Sequence, residues 1–164
     1  MEKNEMKIGI MSDTHGSQEA IRRVVKAAGG VEMWLHAGDY SQDVPYLETL
    51  TDVPVHSVCG NCDPYEHRAP TEAILNLNGY TIAMLHGHKL MGDYVKNLAI
   101  WGEFKEANIV VFGHTHVPLI EWTDNHILLI NPGSCARPRY GIASYAELTL
   151  RHGHKPLANI CYLE

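Results

Sequence analysis

The sequence has little of what would send a chain out of the cell, into a membrane or onto nucleic acid. Four Cys in 164 residues are too few and too scattered for a disulfide framework and read as free thiols. Its apolar runs, such as Ile109 to Phe112 and Ile127 to Ile130, are strand-sized and far short of a bilayer span. Cationic residues are in the minority, 13 Lys and Arg against 19 Asp and Glu, for a formal charge of -6. That argues against a broad nucleic-acid surface but not against a nucleotide as substrate, because bound metal ions change the local charge. Repeats, low-complexity tracts and linkers are missing, so residues 1–164 read as a single domain, long enough to bury a core without staples. The polar start, Met1-Glu2-Lys3-Asn4-Glu5, runs into a strand with no leader pattern, so the expected location is the cytoplasm.

Histidine is the exception to this scarcity. There are 11 of them, and imidazole is the commonest side-chain ligand for transition metals. The question is whether they cluster.

Local pattern places them. Lys7 to Ser12 reads as a buried strand stopping at Asp13. Ser17 caps a helix through Ala20, Ile21, Val24, Val25 and Ala28, ended by Gly29-Gly30. Val31 to Ala37 is a second strand, stopping at Gly38-Asp39. Asp43 to Leu50 is a short helix with Asp43 as cap and Pro45 in its first turn. Pro54 to Cys59 is a third strand leading into Gly60-Asn61. This β-α-β-α-β order predicts a parallel sheet with right-handed crossovers. Beyond it, Glu72 to Leu77 and Tyr80 to Leu85 form a hairpin at Asn78-Gly79. Asp93 to Ala107 is helical, and Ile109 to Phe112 is another buried strand. Leu119 to Trp122 and Ile127 to Ile130 flank a polar turn. Ser144 to Leu150 and Pro156 to Leu163 make a final hairpin. The fold class is α/β, with two packed sheets and helices outside.

Five strand ends deliver oxygen or imidazole groups, where open α/β sheets place their ligand sites. They are Asp13-Thr14-His15, Gly38-Asp39, Gly60-Asn61-Cys62-Asp63, His86-Gly87-His88 and Gly113-His114-Thr115-His116. Pairs at i, i+2 (Asp13 with His15, His114 with His116) project to one side of an extended segment. Carboxylate, carboxamide and imidazole without thiolate suit Mn, Fe, Zn, Ni or Co. Seven such groups exceed what one ion with an open position needs, and suit two ions sharing a carboxylate. Against four positive charges, Asp13 and Asp39 bring only two negative ones. The surplus favours phosphate and the charge that develops as water attacks phosphorus.

This series, with Asn131-Pro132-Gly133-Ser134 following in order, closely resembles the calcineurin-like metallophosphoesterases. Chain length and Cys62 resemble their small YfcE-like phosphodiesterase branch. The resemblance runs from Lys7 to about Arg139. It implies the four-layer α/β/β/α fold of two mixed sheets between helices. It puts Asp13, His15 and His116 on one divalent ion and Asn61, His86 and His114 on the other, with Asp39 bridging. The ions expected are two Mn, with Fe, Ni, Co or Zn as alternatives. The implied reaction is phosphoester hydrolysis, diester before monoester, by a metal-bridging hydroxide. Asp39, Asn61 and His114 would act through that hydroxide. The expected partner is a small phosphoester, a nucleotide among the candidates, with homo-oligomer formation left open.

Cys62 stands where wider relatives carry a His that contacts phosphate, and a neutral thiol is a poor acid. Slower chemistry, a preference for good leaving groups, or another residue supplying that function is expected. Asp63 is expected to orient a neighbouring ligand. Arg137 and Arg139 are candidates for holding substrate phosphate, with solvated loop charges as the alternative. His88 either touches substrate or braces His86. His36, His56, His67, His126, His152 and His154 read as structural or surface groups. Cys59-Gly60-Asn61-Cys62 ends a strand rather than opening a helix, against a redox pair, and has no second Cys-x-x-Cys for zinc. Asn131 to Ser134 is a tight turn shaping the loop before Arg137. Trp34, Trp101 and Trp122 read as core or interface. The competing class is a protein-binding scaffold like the retromer subunit that shares this fold. What separates the two is the completeness of the ligand set.

Overall fold

The computed structural model describes residues 4–64 and 69–164. The readings made on Met1 to Lys3 and on His67 lie outside the described residues. Strands β1 (Met6–Met11), β2 (Met33–His36) and β3 (Val55–Ser57) pair in parallel. They are joined by helix α1 (Gln18–Ala27) and by a 3-10 turn (Ser41–Asp43) that runs into α2 (Val44–Thr49). The N-terminus of α1 forms as the sequence predicts, with Ser17 accepting from the Ala20 N–H at 3.2 Å, a cap worth about 1 kcal/mol. On the other side of β1 the hairpin β9 (Ser144–Leu150) and β10 (Leu157–Tyr162) adds two antiparallel strands, for the order β10-β9-β1-β2-β3.

The second sheet has the order β4-β5-β6-β8-β7. The hairpin β4 (Glu72–Leu77) and β5 (Tyr80–Leu85) turns at Asn78 and Gly79, both at positive φ, as a tight two-residue hairpin requires. Helix α3 (Tyr94–Phe104), capped by Asp93, carries the chain to β6 (Ile109–Val111), and β7 (Leu119–Trp122) returns beside β8 (Leu128–Asn131). Strands β5, β6 and β8 are mutually parallel. Each sheet is therefore mixed around a parallel trio.

Alternation along the strands builds the layers. Ile8, Ile10, Met33 and Leu35 of one sheet meet Ile82, Met84, Ile109, Leu128 and Ile130 of the other in a central core. The opposite face of the first sheet packs Trp34 and Met11 under Ile21, Val24 and Leu47 of the helices. The opposite face of the second packs Ala83, Val110 and Leu129 under Leu98. Full burial of each such side chain is worth about 1.5–3 kcal/mol. This is the α/β/β/α layering expected, and among the described residues no helix is long and apolar enough to cross a membrane. Its consequence is directional. The six parallel strands carry the Asp13, Asp39, Asn61, His86, His114 and Asn131 segments at their C-terminal ends, and packing the two sheets brings these loops together.

Candidate metal centre

The loops meet in unusual backbone. Five of the seven expected ligands lie in the left-handed region: Asp13 (φ 54°), His15 (47°), Asp39 (58°), His114 (68°) and His116 (58°). Such conformations cost about 1–3 kcal/mol each in a non-glycine residue and persist where surrounding structure holds them. This corrects one reading of the sequence. The pairs at i, i+2 do not converge from extended segments; they turn inward through left-handed residues.

Asp13, His15, Asp39 and His116 each place one ligand atom within 4.8 Å of all the others. His86 and His114 lie against this group, their rings 5.3 Å apart. His86 Nε2 stands 3.3 Å from Asp39 Oδ1, and His114 Nδ1 is 3.1 Å from Asn61 Oδ1. The imidazoles are held by the main chain. His86 Nδ1 lies 2.8 Å from the Ala37 carbonyl and His116 Nδ1 2.6 Å from that of Arg137. Donation at Nδ1 leaves each Nε2 facing the site as a lone pair, the arrangement that orients metal-bound histidines. Burial presses His86 downward, but Asp39 and Asp13 outweigh it and its pKa rises. The Asp13 carboxylate likewise raises His116. Asp39 is held well below the carboxylate range: its own burial opposes this, and His86 and the Cys62 N–H overcome it.

A metal fits this donor set on a specific observation. Asp13 Oδ1 and His86 Nε2 are buried 3.8 Å apart, and neither makes a hydrogen bond of regular geometry among the described residues, although His116 Nε2 lies 3.1 Å from the first and Asp39 Oδ1 3.3 Å from the second. A buried polar atom left so costs about 1–3 kcal/mol. A divalent cation accepting both lone pairs removes that cost.

Bracing comes from residues that spacing alone does not reveal. Asn131 Nδ2 donates to the Gly113 carbonyl (2.9 Å) and to Thr115 Oγ1 (3.0 Å), holding the His114–His116 loop. Ser134 Oγ donates to the Asp13 carbonyl at 2.8 Å. The segment read as a tight turn is thus a clamp between two ligand loops. Asp63 accepts from Gly60 N (2.6 Å) and from Ser41 N and Oγ (2.6 and 2.8 Å), so it joins the Asn61 and Asp39 loops through their backbone. Cys62 is exposed, its N–H donating to Asp39 Oδ1 at 2.9 Å. Partial desolvation and then the Asp39 carboxylate push its thiol up to about 11. The Arg137 and Arg139 side chains are exposed, while their main chain bonds His116. His88 sits 5.6 Å from His86, ring to ring. His126, His152 and His154 are exposed, and His56 is half-buried.

His36 is buried and belongs to the scaffold of the site. Gly38 N donates to its Nδ1 (3.3 Å), so its Nε2–H donates to Thr14 Oγ1 (3.0 Å). The Thr14 hydroxyl in turn donates to Asp43 Oδ2 at 2.6 Å. Burial lowers the His36 pKa. A group depressed in the folded state is protonated first in the unfolded chain, so its stabilisation is present above about pH 6.5 and lost as pH falls through the folded value. In chelator, stability is expected to fall more, or rise less, from pH 7 to 5 in wild type than in His36→Gln, since the raised His86 and His116 act the opposite way in both proteins. Urea unfolding across that range measures both slopes, and parallel slopes would contradict the role.

Comparison with known proteins agrees with this geometry. The family model for the calcineurin-like phosphoesterase superfamily domain matches residues 6–153. The phosphodiesterase YfcE of Escherichia coli strain K12 is 32% identical over 168 aligned positions, covering 87% of each chain. The solved structure of an archaeal phosphodiesterase superposes with a TM-score of 0.77 at 27% identity, over 96% of this chain and 100% of that one. Vps29 of Entamoeba histolytica, solved with zinc, gives 0.75 at 20% identity over 96% and 99%, a likeness of fold alone. With the match spanning nearly the whole sequence and the ligand loops gathered at one sheet end, this chain belongs to the calcineurin-like phosphoesterase superfamily.

Proposed function

We propose that the protein is a two-metal phosphodiesterase using water as nucleophile. One ion is assigned to Asp13, His15 and His116, the other to Asn61, His86 and His114, with Asp39 shared. The observation that carries this is the tight Asp13, His15, Asp39 and His116 group, with buried atoms on Asp13 and His86 that make no regular hydrogen bond among the described residues. Divalent ions held there supply Lewis acidity that activates water and neutralises phosphate charge.

The chain's own residues set the rest. Asp39 Oδ1 faces His86, while its Oδ2 lies 4.0 Å from His15 Nε2, so its two oxygens address the two halves. Asp13 and Asp39 leave the loaded site a positive surplus that draws phosphate. The guanidinium groups of Arg137 and Arg139 grip phosphate oxygens, and His88 touches the substrate. Cys62, neutral near pH 7, gives a departing alkoxide little proton help, so leaving groups of low pKa are favoured. The diester preference takes its support from the phosphodiesterase relatives. Small phosphoesters, nucleotides included, are the substrate class. Mn is the first choice of ion. The cytoplasm, where four free cysteines stay reduced, is the location. A scaffold role would tolerate lost ligands, and here all seven positions hold competent ones.

The test is chelation followed by return of single ions (Mn, Fe, Co, Ni, Zn), assaying an aryl phosphodiester beside its monoester. Turnover should vanish in chelator and return with metal, highest with Mn and faster on the diester. Turnover indifferent to chelator would overturn the two-metal mechanism, and turnover restored by no ion on either ester would leave the scaffold reading.

A further inference from the structure

We infer that Asp43 is a positioning residue that holds His15 in place and supports the Asp13, His15 and His116 half of the site selectively. The inference rests on the two-metal reading above. Asp43 stands where a helix cap belongs, directly before α2. Yet its backbone is already helical (φ -77°, ψ -15°) and its side chain makes no cap bond. The carboxylate is engaged elsewhere. Oδ2 accepts from Thr14 Oγ1 at 2.6 Å and from Gly16 N at 2.9 Å, the two residues flanking His15. Asp43 is itself only 8% exposed, so water competes little for these bonds.

The loop it brackets needs such a hold. Asp13, His15 and Gly16 all have positive φ, and in the two non-glycine residues a regular conformation is lower in energy. His36 completes the arrangement, because its Nε2–H directs the Thr14 hydroxyl proton toward Asp43. Asp43 also ends the 3-10 turn that begins two residues after Asp39, so one carboxylate ties the first ligand loop to the segment carrying the shared ligand. The other half has its own supports: Asp63 on Gly60 and Ser41, and the Ala37 carbonyl on His86. Loss of Asp43 should therefore act on one half.

Titration of the metal-free protein with Mn(II), followed by the free-ion EPR signal, reads this directly. Wild type should bind two ions. Asp43→Ala should weaken one of them by about 10- to 100-fold and leave the other unchanged. Asp43→Asn, which keeps an acceptor oxygen, should recover part of the loss. Thr14→Val removes one of the two donors at nearly constant volume and should weaken the same ion. It reads the contact even if Asp43→Ala fails to fold. Two ions bound as in wild type by these variants, or both weakened in parallel with no recovery in Asp43→Asn, would overturn the inference alone. Fewer than two ions in wild type would overturn the two-metal reading and the inference with it.

Discussion

Asp39→Ala is expected to cut metal-restored hydrolysis of an aryl phosphodiester by at least about 10³-fold, the largest effect at any single side chain. The reason is geometric. Its two oxygens face different histidine groups: Oδ1 lies 3.3 Å from His86 Nε2 and Oδ2 4.0 Å from His15 Nε2, whereas Asp13 approaches His86 (3.8 Å) and His116 (3.1 Å) through Oδ1 alone. Its Oδ1 also anchors the third ligand loop through the Cys62 N–H. Removing the side chain deletes a shared ligand, half of the carboxylate charge and a link between loops at once. Asp39→Asn keeps the shape and one oxygen but loses the charge, and should remain defective. The check is kcat/KM with saturating Mn(II) alongside circular dichroism, which should show an intact fold. Turnover unchanged in Asp39→Ala would remove Asp39 from the site.

Gly60→Ala is expected to lower turnover by at least about 10²-fold, the scale that a misplacement of about 1 Å carries in a catalytic site. A Cβ built on Gly60 would lie 2.1 Å from Asp39 Oδ1, 2.7 Å from Asp39 N and 2.7 Å from His86 Cδ2. None of these is the free end of a flexible chain. The β3 loop would have to move away from the shared carboxylate, carrying Asn61 with it. Gly113→Ala should act alike from the other sheet, since its Cβ would lie 2.2 Å from Ser12 Oγ and 2.8 Å from Asp13 Oδ2. Overpacking of this kind also destabilises by about 1–3 kcal/mol. Steady-state kinetics, Mn(II) affinity and thermal midpoint in chelator together report the outcome. Wild-type turnover and affinity in either variant would mean that the close approach carries no catalytic demand.

Much of the fold was readable because the signals are local. The hairpin at Asn78-Gly79 fell where predicted, since two positive φ angles in sequence admit few residues there. The starts of α1 and α3 were readable because Ser17 and Asp93 cap their own helices within three residues. The same logic misread Asp43. Its position is that of a cap, but its hydrogen bonds run to Thr14 and Gly16, across 29 and 27 residues. Likewise the parallel pairing of β5, β6 and β8 could not be read from their apolar runs, because a buried strand looks the same whatever lies beside it.

By itself the sequence determined the elements and the chemistry available to them: a His-rich set of oxygen and nitrogen donors at the ends of strands. Those properties follow from residue type, spacing and periodicity, which act over a few residues. Only the tertiary structure decided how the donors meet. It drew Asp13, His15, Asp39 and His116 into one tight group, with His86, His114 and Asn61 against it. It turned five ligands through left-handed backbone and left Asp13 Oδ1 and His86 Nε2 buried with no regular hydrogen bond among the described residues. It also set the braces at Asn131, Ser134, His36 and Asp43. These contacts join segments up to 121 residues apart, and they form when the two sheets pack and water is excluded between their loops.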